Sequence, residues 1–239
     1  MNKVRRAIIM AAGLGNRLRP VTLKIPKPLI KVNGIRMIDS VIDALHKNEI
    51  YEIYIVVGYL KEQFSVAQEN YPDIKLIENP YYMTCNNISS LYVARDYIDD
   101  AIILDGDQLI YNAGILDPYF EKSGYNSVWT DKYTDEWLQT VKDGVVKSCS
   151  RVGGKNGWQL YGISRWKSED ADKLRHYLEI EFKKKNNTQI YWDDLAMFCY
   201  PNEFELEIYP MKANDVVEID NLSDLVALDD SYKKYMGEK

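Results

Sequence analysis

No aspartate or glutamate occurs in the first 38 residues, although the chain of 239 residues contains 36 of them. The same stretch holds nine of the 30 lysines and arginines. The remaining 201 residues therefore carry 21 basic and 36 acidic side chains, a basic head on an acidic body. That distribution suggests a focused anion site. The overall net charge of −6 argues against nucleic acid as a partner. Cysteine is scarce: Cys85, Cys149 and Cys199 cannot all pair and lack metal-ligand spacing, so reduced thiols in a cytoplasmic protein are expected. Histidine is scarcer still. His46 and His176 both fall on predicted helices, and no Ser-His or Cys-His constellation accompanies them. No apolar run approaches the length of a membrane span, so no membrane insertion is expected. Lys3, Arg5 and Arg6 precede an apolar stretch that is too short for a secretory signal and is interrupted by glycines and Arg17.

The most informative stretch runs from Ala7 to Ile30, AIIMAAGLGNRLRPVTLKIPKPLI. A short apolar strand enters Ala11, Ala12, Gly13 and Gly15, whose small side chains let backbone N–H groups close on a phosphate chain. Arg17 and Lys27 follow as cations for a polyphosphate, one a planar fork and the other a point charge. The dinucleotide fingerprint is incomplete because Leu18 stands where its third glycine belongs, and there is no Walker A pattern.

With 46% hydrophobic residues the chain can bury a sizeable core. Ile35, Ile38, Val41, Ile42 and Leu45 fall at helical spacing, and a helix is predicted over them to about His46. Apolar runs at 53–57, 74–77 and 101–104 read as strands, with helices over 60–69 and 89–98. This alternation predicts a doubly wound α/β sheet whose ligand crevice lies at the carboxyl ends of its strands. Beyond residue 125, strands are predicted at 128–131, 140–146 (turning at Asp143-Gly144), 158–164, 204–209 and 216–219. Helices are expected over 168–185, capped by Ser168, over 192–198, and from Asn221 onward.

Asp107 and Asp220 each follow an apolar strand, in AIILDGD and VVEID, where the crevice rule places ligand-contacting groups. Two such carboxylates suit Mg²⁺ bound to nucleotide phosphates. Asp105 could bond ribose hydroxyls, and Asp220 could instead cap the helix after it. Aromatic residues are frequent, with 19 Tyr and five Trp. Trp137 in DEW and Tyr191-Trp192-Asp193 stand among polar residues, with Asp193, Asp194 and Glu218 the nearest acids in sequence. Aromatic faces backed by carboxylates suit an ammonium group.

The string G-x-G-x-R-x-x-P-x-T-x-x-x-P-K-P-L resembles the signature of the nucleotidyltransferase superfamily. The segments VVGYLKEQF (56–64), NNISSLY (86–92), DEW (135–137), YWDD (191–194) and EID (218–220) are similar to those of bacterial CTP:phosphocholine cytidylyltransferases. Gln108 and Asp194 stand where that family's pattern has Asn. The resemblance implies a Rossmann-like mixed, mostly parallel sheet flanked by helices, with a small α/β substrate-binding cap. It is expected as one domain: a nucleotide-binding core over 1–124, then an acceptor-binding part over 125–239 that includes the metal-ligand strand. The implied activity is transfer of CMP from CTP to phosphocholine, giving CDP-choline and pyrophosphate with Mg²⁺. By the same resemblance Ala11, Ala12, Gly13 and Gly15 cradle the phosphates with Arg17 and Lys27, and Gly58, Tyr59, Asn87 and Ser90 face the base and ribose. Asp107 and Asp220 would hold the metal, while Trp137, Tyr191, Trp192, Asp193 and Glu218 would serve the acceptor. Phosphoethanolamine, 2-aminoethylphosphonate or a sugar 1-phosphate are alternative acceptors, and a non-catalytic nucleotide sensor is the alternative of another class.

Overall fold

A computed structural model describes residues 1–237. After a short edge strand β1 (Asn2–Lys3), strand β2 (Arg6–Ala11) leads into the glycine loop. A small hairpin, β3 (Lys31–Val32) and β4 (Ile35–Arg36), precedes helix α1 (Met37–Lys47). Then come β5 (Glu52–Val57), α2 (Ser65–Asn70), β6 (Ile74–Glu78), α3 (Ile88–Ala94) and β7 (Ala101–Asp105). Two short strands follow, β8 (Gln108–Ile110) and β9 (Tyr119–Phe120). The second half comprises β10 (Gly124–Thr130), β11 (Leu138–Lys142), β12 (Val145–Ser150), β13 (Gly157–Trp166), α4 (Ser168–Leu178), β14 (Glu207–Pro210), β15 (Val216–Glu218) and α5 (Leu222–Leu228).

One sheet of nine strands takes members from both halves, in the order β10-β14-β12-β11-β13-β7-β2-β5-β6. The β7-β2-β5-β6 side is parallel, and its strands are apolar runs because helices cover both faces. Past β7 the pairing turns largely antiparallel, through β13 on β7 and the β11–β12 hairpin. Asp143 and Gly144 make that hairpin's turn, both with positive φ (54° and 76°) as a two-residue turn of this kind requires. Helix α1 buries Ile38, Val41, Ile42 and Leu45 against the parallel strands, while the spacing-based start at Ile35 proves two residues early. Ile35 is an exposed residue of the β3–β4 hairpin.

Three other expectations are corrected. Ser168 is the first residue of α4, not its cap; Lys167 holds the cap position without a side-chain hydrogen bond. The helix is α-helical as far as Leu178 and continues as a π-helical turn over Glu179–Lys184. The 192–198 helix is a π-helical turn over Leu195–Cys199. All three cysteines are free.

Strand register decides where the chemistry goes. Met10 pairs with Asp105 and Ala11 with Val57, so the glycine loop, Gly58 and the Asp105–Asp107 turn emerge together at one edge. Antiparallel pairing of Glu218 with Gln108 brings β15 alongside the same edge, with Asp220 just beyond it. No helix among the described residues is long and apolar enough to cross a membrane.

Candidate active site

The loop after β2 is shaped by its glycines. Gly15 adopts φ +60°, and a Cβ there would lie 2.9 Å from the Thr22 methyl and 3.1 Å from Lys27 Cβ. Position 15 therefore needs glycine both for its backbone and for its neighbours. Gly13 differs: a Cβ there would meet nothing within 4 Å, because the residue faces an open cavity of about 300 Å³. Ala11, Ala12, Gly13, Gly15, Arg17, Lys27, Asn87, Ser90, Asp105, Asp107 and Asp220 all line that cavity. Asn79, buried, donates to the Ser89 and Ser90 hydroxyls at 2.9 and 3.1 Å and so fixes the start of α3 beneath it.

Gly58 and Tyr59, expected at the base and ribose, line neither this cavity nor the one beside it. They brace the glycine loop from behind. The Tyr59 amide donates to the Ala12 carbonyl at 3.1 Å, and its hydroxyl donates to the Thr22 carbonyl at 2.9 Å. A Cβ on Gly58 would fall 2.7 Å from the Tyr82 ring and 2.9 Å from the Ala12 carbonyl oxygen.

At the mouth of the cavity the cations and carboxylates meet. Lys27 Nζ is 2.5 Å from Asp107 Oδ2 and 3.7 Å from Asp220 Oδ1, and Arg17 Nη2 is 2.6 Å from Asp220 Oδ1. Burial opposes the Lys27 charge, but Asp107, Asp220 and Glu218 outweigh it and its pKa rises. Asp220 is free for this role because its neighbour caps α5. The Asn221 side chain accepts from the Ser223 and Asp224 amides, and Asp224 accepts from the amides of Asp220 and Asn221. This capping box removes the reading of Asp220 as a helix cap.

Asp105, Asp107 and Glu218, all half-buried, bring carboxylate oxygens within 4.8 Å of one another. Such crowding costs energy without a countercharge. Burial, then Asp107 and Asp220, push Glu218 up to about 8, and burial followed by Asp107 and Glu218 raises Asp105 well above the usual carboxylate range. Asp107 Oδ1 is buried and has no hydrogen-bond partner. An all-oxygen donor set with an unsatisfied oxygen fits a hard divalent cation such as Mg²⁺. Gly162 of β13 makes room for the cluster, since a Cβ there would lie 1.8 Å from Asp105 Oδ2.

A second cavity of about 350 Å³ shares Arg17, Asn87, Asp105, Asp107 and Asp220 with the first. Its far wall is Trp137, Tyr191, Leu160, Glu136, Asp193 and Glu218. The Trp137 and Tyr191 rings stand 5.9 Å apart at 86°. Asp193 Oδ1 is buried without a hydrogen-bond partner, and burial pushes its pKa up to about 7 against the Tyr125 hydroxyl nearby. Glu136 was not anticipated as a site residue; burial and then Asp220 raise its pKa. Its signal was its place beside Trp137 in DEW.

Trp192 is corrected. It is 2% exposed and packs among Tyr125 and Trp166 at 6.0 and 6.1 Å, so its side chain belongs to the core. Its amide donates to Asn87 Oδ1 at 2.9 Å, which ties the two cavities' walls together.

The nucleotidyl transferase family profile matches residues 6–117. A 2-aminoethylphosphonate cytidylyltransferase of Lancefieldella rimae is 37% identical over 228 residues, covering 95% of this chain and 92% of the relative. A choline-phosphate cytidylyltransferase of Streptococcus pneumoniae is 33% identical over 230 residues, covering 95% and 98%. The solved structure of the CTP:phosphocholine cytidylyltransferase from Streptococcus pneumoniae superimposes with a TM-score of 0.86 at 31% identity, covering 95% of this chain and 98% of that one.

Proposed function

The chain belongs to the nucleotidyl transferase family as a cytidylyltransferase, and we propose that it transfers CMP from CTP to a short acceptor bearing a phosphate or phosphonate at one end and an ammonium at the other. The observation that carries this reading is the junction of two cavities. A small-residue loop with Lys27 and Arg17 lies on one side, and an aromatic, acidic wall lies on the other. The shared rim of Arg17, Asp105, Asp107 and Asp220 is where an α-phosphorus would meet its nucleophile.

Little acid–base machinery is needed. A phosphomonoester has a second pKa of about 6, so its oxygen is already anionic at neutral pH. That oxygen forms a bond to the α-phosphorus, the bond to the β-phosphate oxygen breaks, and pyrophosphate leaves with the electron pair. Catalysis is then alignment and charge stabilisation. Lys27 and Arg17 leave Asp107 and Asp220 for the phosphates and offset the charge that develops on them. Asp107 and Asp220 are the proposed Mg²⁺ ligands, with Asp105 and Glu218 of the carboxylate cluster beside Asp107, and a bound ion would neutralise charge on the triphosphate. The cavity wall of Trp137 and Tyr191 holds the ammonium through ring faces, each good contact contributing about 0.5–2 kcal/mol.

Two acceptors fit this wall. Phosphocholine, the expectation drawn from sequence, is favoured by the perpendicular Trp137–Tyr191 pair. A primary ammonium such as that of 2-aminoethylphosphonate is favoured by the carboxylates of the same wall, Asp193, Glu136 and Glu218, because a trimethylammonium has no N–H to offer them. We rank the primary amine first, because carboxylates distinguish an N–H donor from a methylated nitrogen and ring faces accept both. Pyrophosphate release from CTP with 2-aminoethylphosphonate, phosphoethanolamine and phosphocholine tests the ranking. The expected result is a higher kcat/KM for a primary amine. A preference for phosphocholine would mean that the aromatic wall governs selection, and no release with any acceptor would favour a nucleotide sensor.

A further inference from the structure

We infer that Arg151 and Asp194 form a positioning clamp that fixes the aromatic wall of the acceptor cavity. This rests on the proposed placing of the acceptor against Trp137 and Tyr191. Neither Arg151 nor Asp194 lines that cavity, so their effect must pass through other residues.

The Asp194 side chain is 4% exposed, and its two oxygens hold two different segments. Oδ2 accepts the Tyr191 amide at 2.8 Å, and Oδ1 accepts from Arg151 Nη2 at 2.5 Å and Nε at 3.1 Å. Arg151 lies just past the end of β12, so one buried carboxylate joins the end of that strand to the backbone of a wall residue. The guanidinium also lies 3.8 Å over the Phe198 ring and 5.8 Å from the centre of the Trp137 ring. Phe198 in turn meets Trp137 edge-on at 5.1 Å and 84°. Trp137 is thereby held between Phe198 and Tyr191, and Arg151 contacts the support of each.

The chemistry of the pair explains why both members are needed. A planar guanidinium can stack on rings while its edge binds a carboxylate, which an ammonium cannot reproduce. Without Arg151, Asp194 is a buried carboxylate without its cationic partner, close to Asp193, whose pKa it already raises. The segment has reason to shift: Leu195–Cys199 is a single π-helical turn starting at the next residue, and such turns are less regular than the α-helix they replace.

The test is a double-mutant cycle in the full chain, with acceptor KM, CTP KM and kcat measured separately using 2-aminoethylphosphonate and phosphocholine. Arg151→Ala is expected to raise acceptor KM about tenfold, with kcat and CTP KM within about twofold of wild type. Arg151→Lys should recover little of this. In a Trp137→Ala background the Arg151→Ala effect should shrink to the part that passes through Asp194 and Tyr191. A general loss of structure would move kcat and CTP KM as well, and that result would overturn the proposal. So would an Arg151→Ala effect that adds in full to that of Trp137→Ala, or an unchanged acceptor KM in Arg151→Ala when Trp137→Ala raises it. An unchanged acceptor KM in Trp137→Ala itself would overturn both the clamp and the acceptor site on which it rests. Should Arg151→Ala fail to fold, Asp194→Asn must show the same split, because it keeps an oxygen for the Tyr191 amide and removes the charge.

Discussion

Replacing Lys27 by Met separates the electrostatic part of the account from the packing part. The stem of Lys27 is buried, its side chain is 10% exposed, and its ammonium sits 2.5 Å from Asp107 and 3.7 Å from Asp220. Methionine keeps most of the stem volume and removes the charge. Asp107 would then stand beside Asp105 and Glu218 with no cation at 2.5 Å, in a cluster whose carboxylates already lie within 4.8 Å of one another. Breaking a buried ion pair from one side costs about 3–5 kcal/mol, and the partial exposure of Asp107 reduces this to about 2–4 kcal/mol. For a chain of this size that corresponds to a Tm about 5–15 °C lower. Because a divalent cation can replace the missing charge, Mg²⁺ without nucleotide should raise the Tm of Lys27→Met more than that of wild type. Turnover with CTP should fall by about 10²–10³, the typical loss on removing one preorganised charge-stabilising group. Thermal melts with and without Mg²⁺, paired with pyrophosphate release, supply both readings. A variant that melts within about 2 °C of wild type and turns over normally would refute the reasoning.

Asp107→Ala should abolish turnover at any Mg²⁺ concentration, and surviving activity would remove Asp107 from the metal site. The two loop glycines should separate: Gly15→Ala forces an L-residue into φ +60° against Thr22 and costs at least about 1–2 kcal/mol in melts, whereas Gly13→Ala leaves stability near wild type. Gly13→Ala should instead raise CTP KM, because its methyl enters the proposed phosphate cavity; equal Tm losses in the two variants would contradict this division. Asp193 titrates near 7 when folded, against an ordinary 3.8. A raised carboxylate pKa stabilises the fold while the group is protonated, and this contribution is lost as pH rises from about 4 through about 7. Asp193→Asn should therefore make the pH dependence of Tm in that window shallower, with Asp105 and Glu218 retaining the rest, and an unchanged slope would show that Asp193 does not contribute to it.

How much of this was legible in the sequence follows from physical locality. The glycine loop is a short-range feature, and so is an aspartate at the end of an apolar run; both could be read from neighbours in the chain. That Asp107 and Asp220 share one site depends on the pairing of Glu218 with Gln108, yet the crevice rule places both at strand ends and so anticipates it. Adjacent residues in irregular backbone are another matter. Tyr191 and Trp192 are consecutive, but one faces the cavity and the other is core, because residues just before a π-helical turn follow no fixed period. Gly58 and Tyr59 sit at the end of a strand as ligand-contacting residues do, and their actual contacts, with Ala12, Thr22 and Tyr82, lie across the fold. Arg151 carries no local sign of its role. Its partners Asp194 and Phe198 lie more than forty residues away, and only the three-dimensional arrangement reveals them.

The most direct test of the central claim is a crystal structure of the protein with CTP and Mn²⁺, read by anomalous scattering. The account predicts an ion peak between Asp107 and Asp220, with Lys27 Nζ and an Arg17 nitrogen about 3 Å from triphosphate oxygens. A triphosphate bound elsewhere, or one bound while Lys27 remains on Asp107 and no ion lies between the two aspartates, would contradict it.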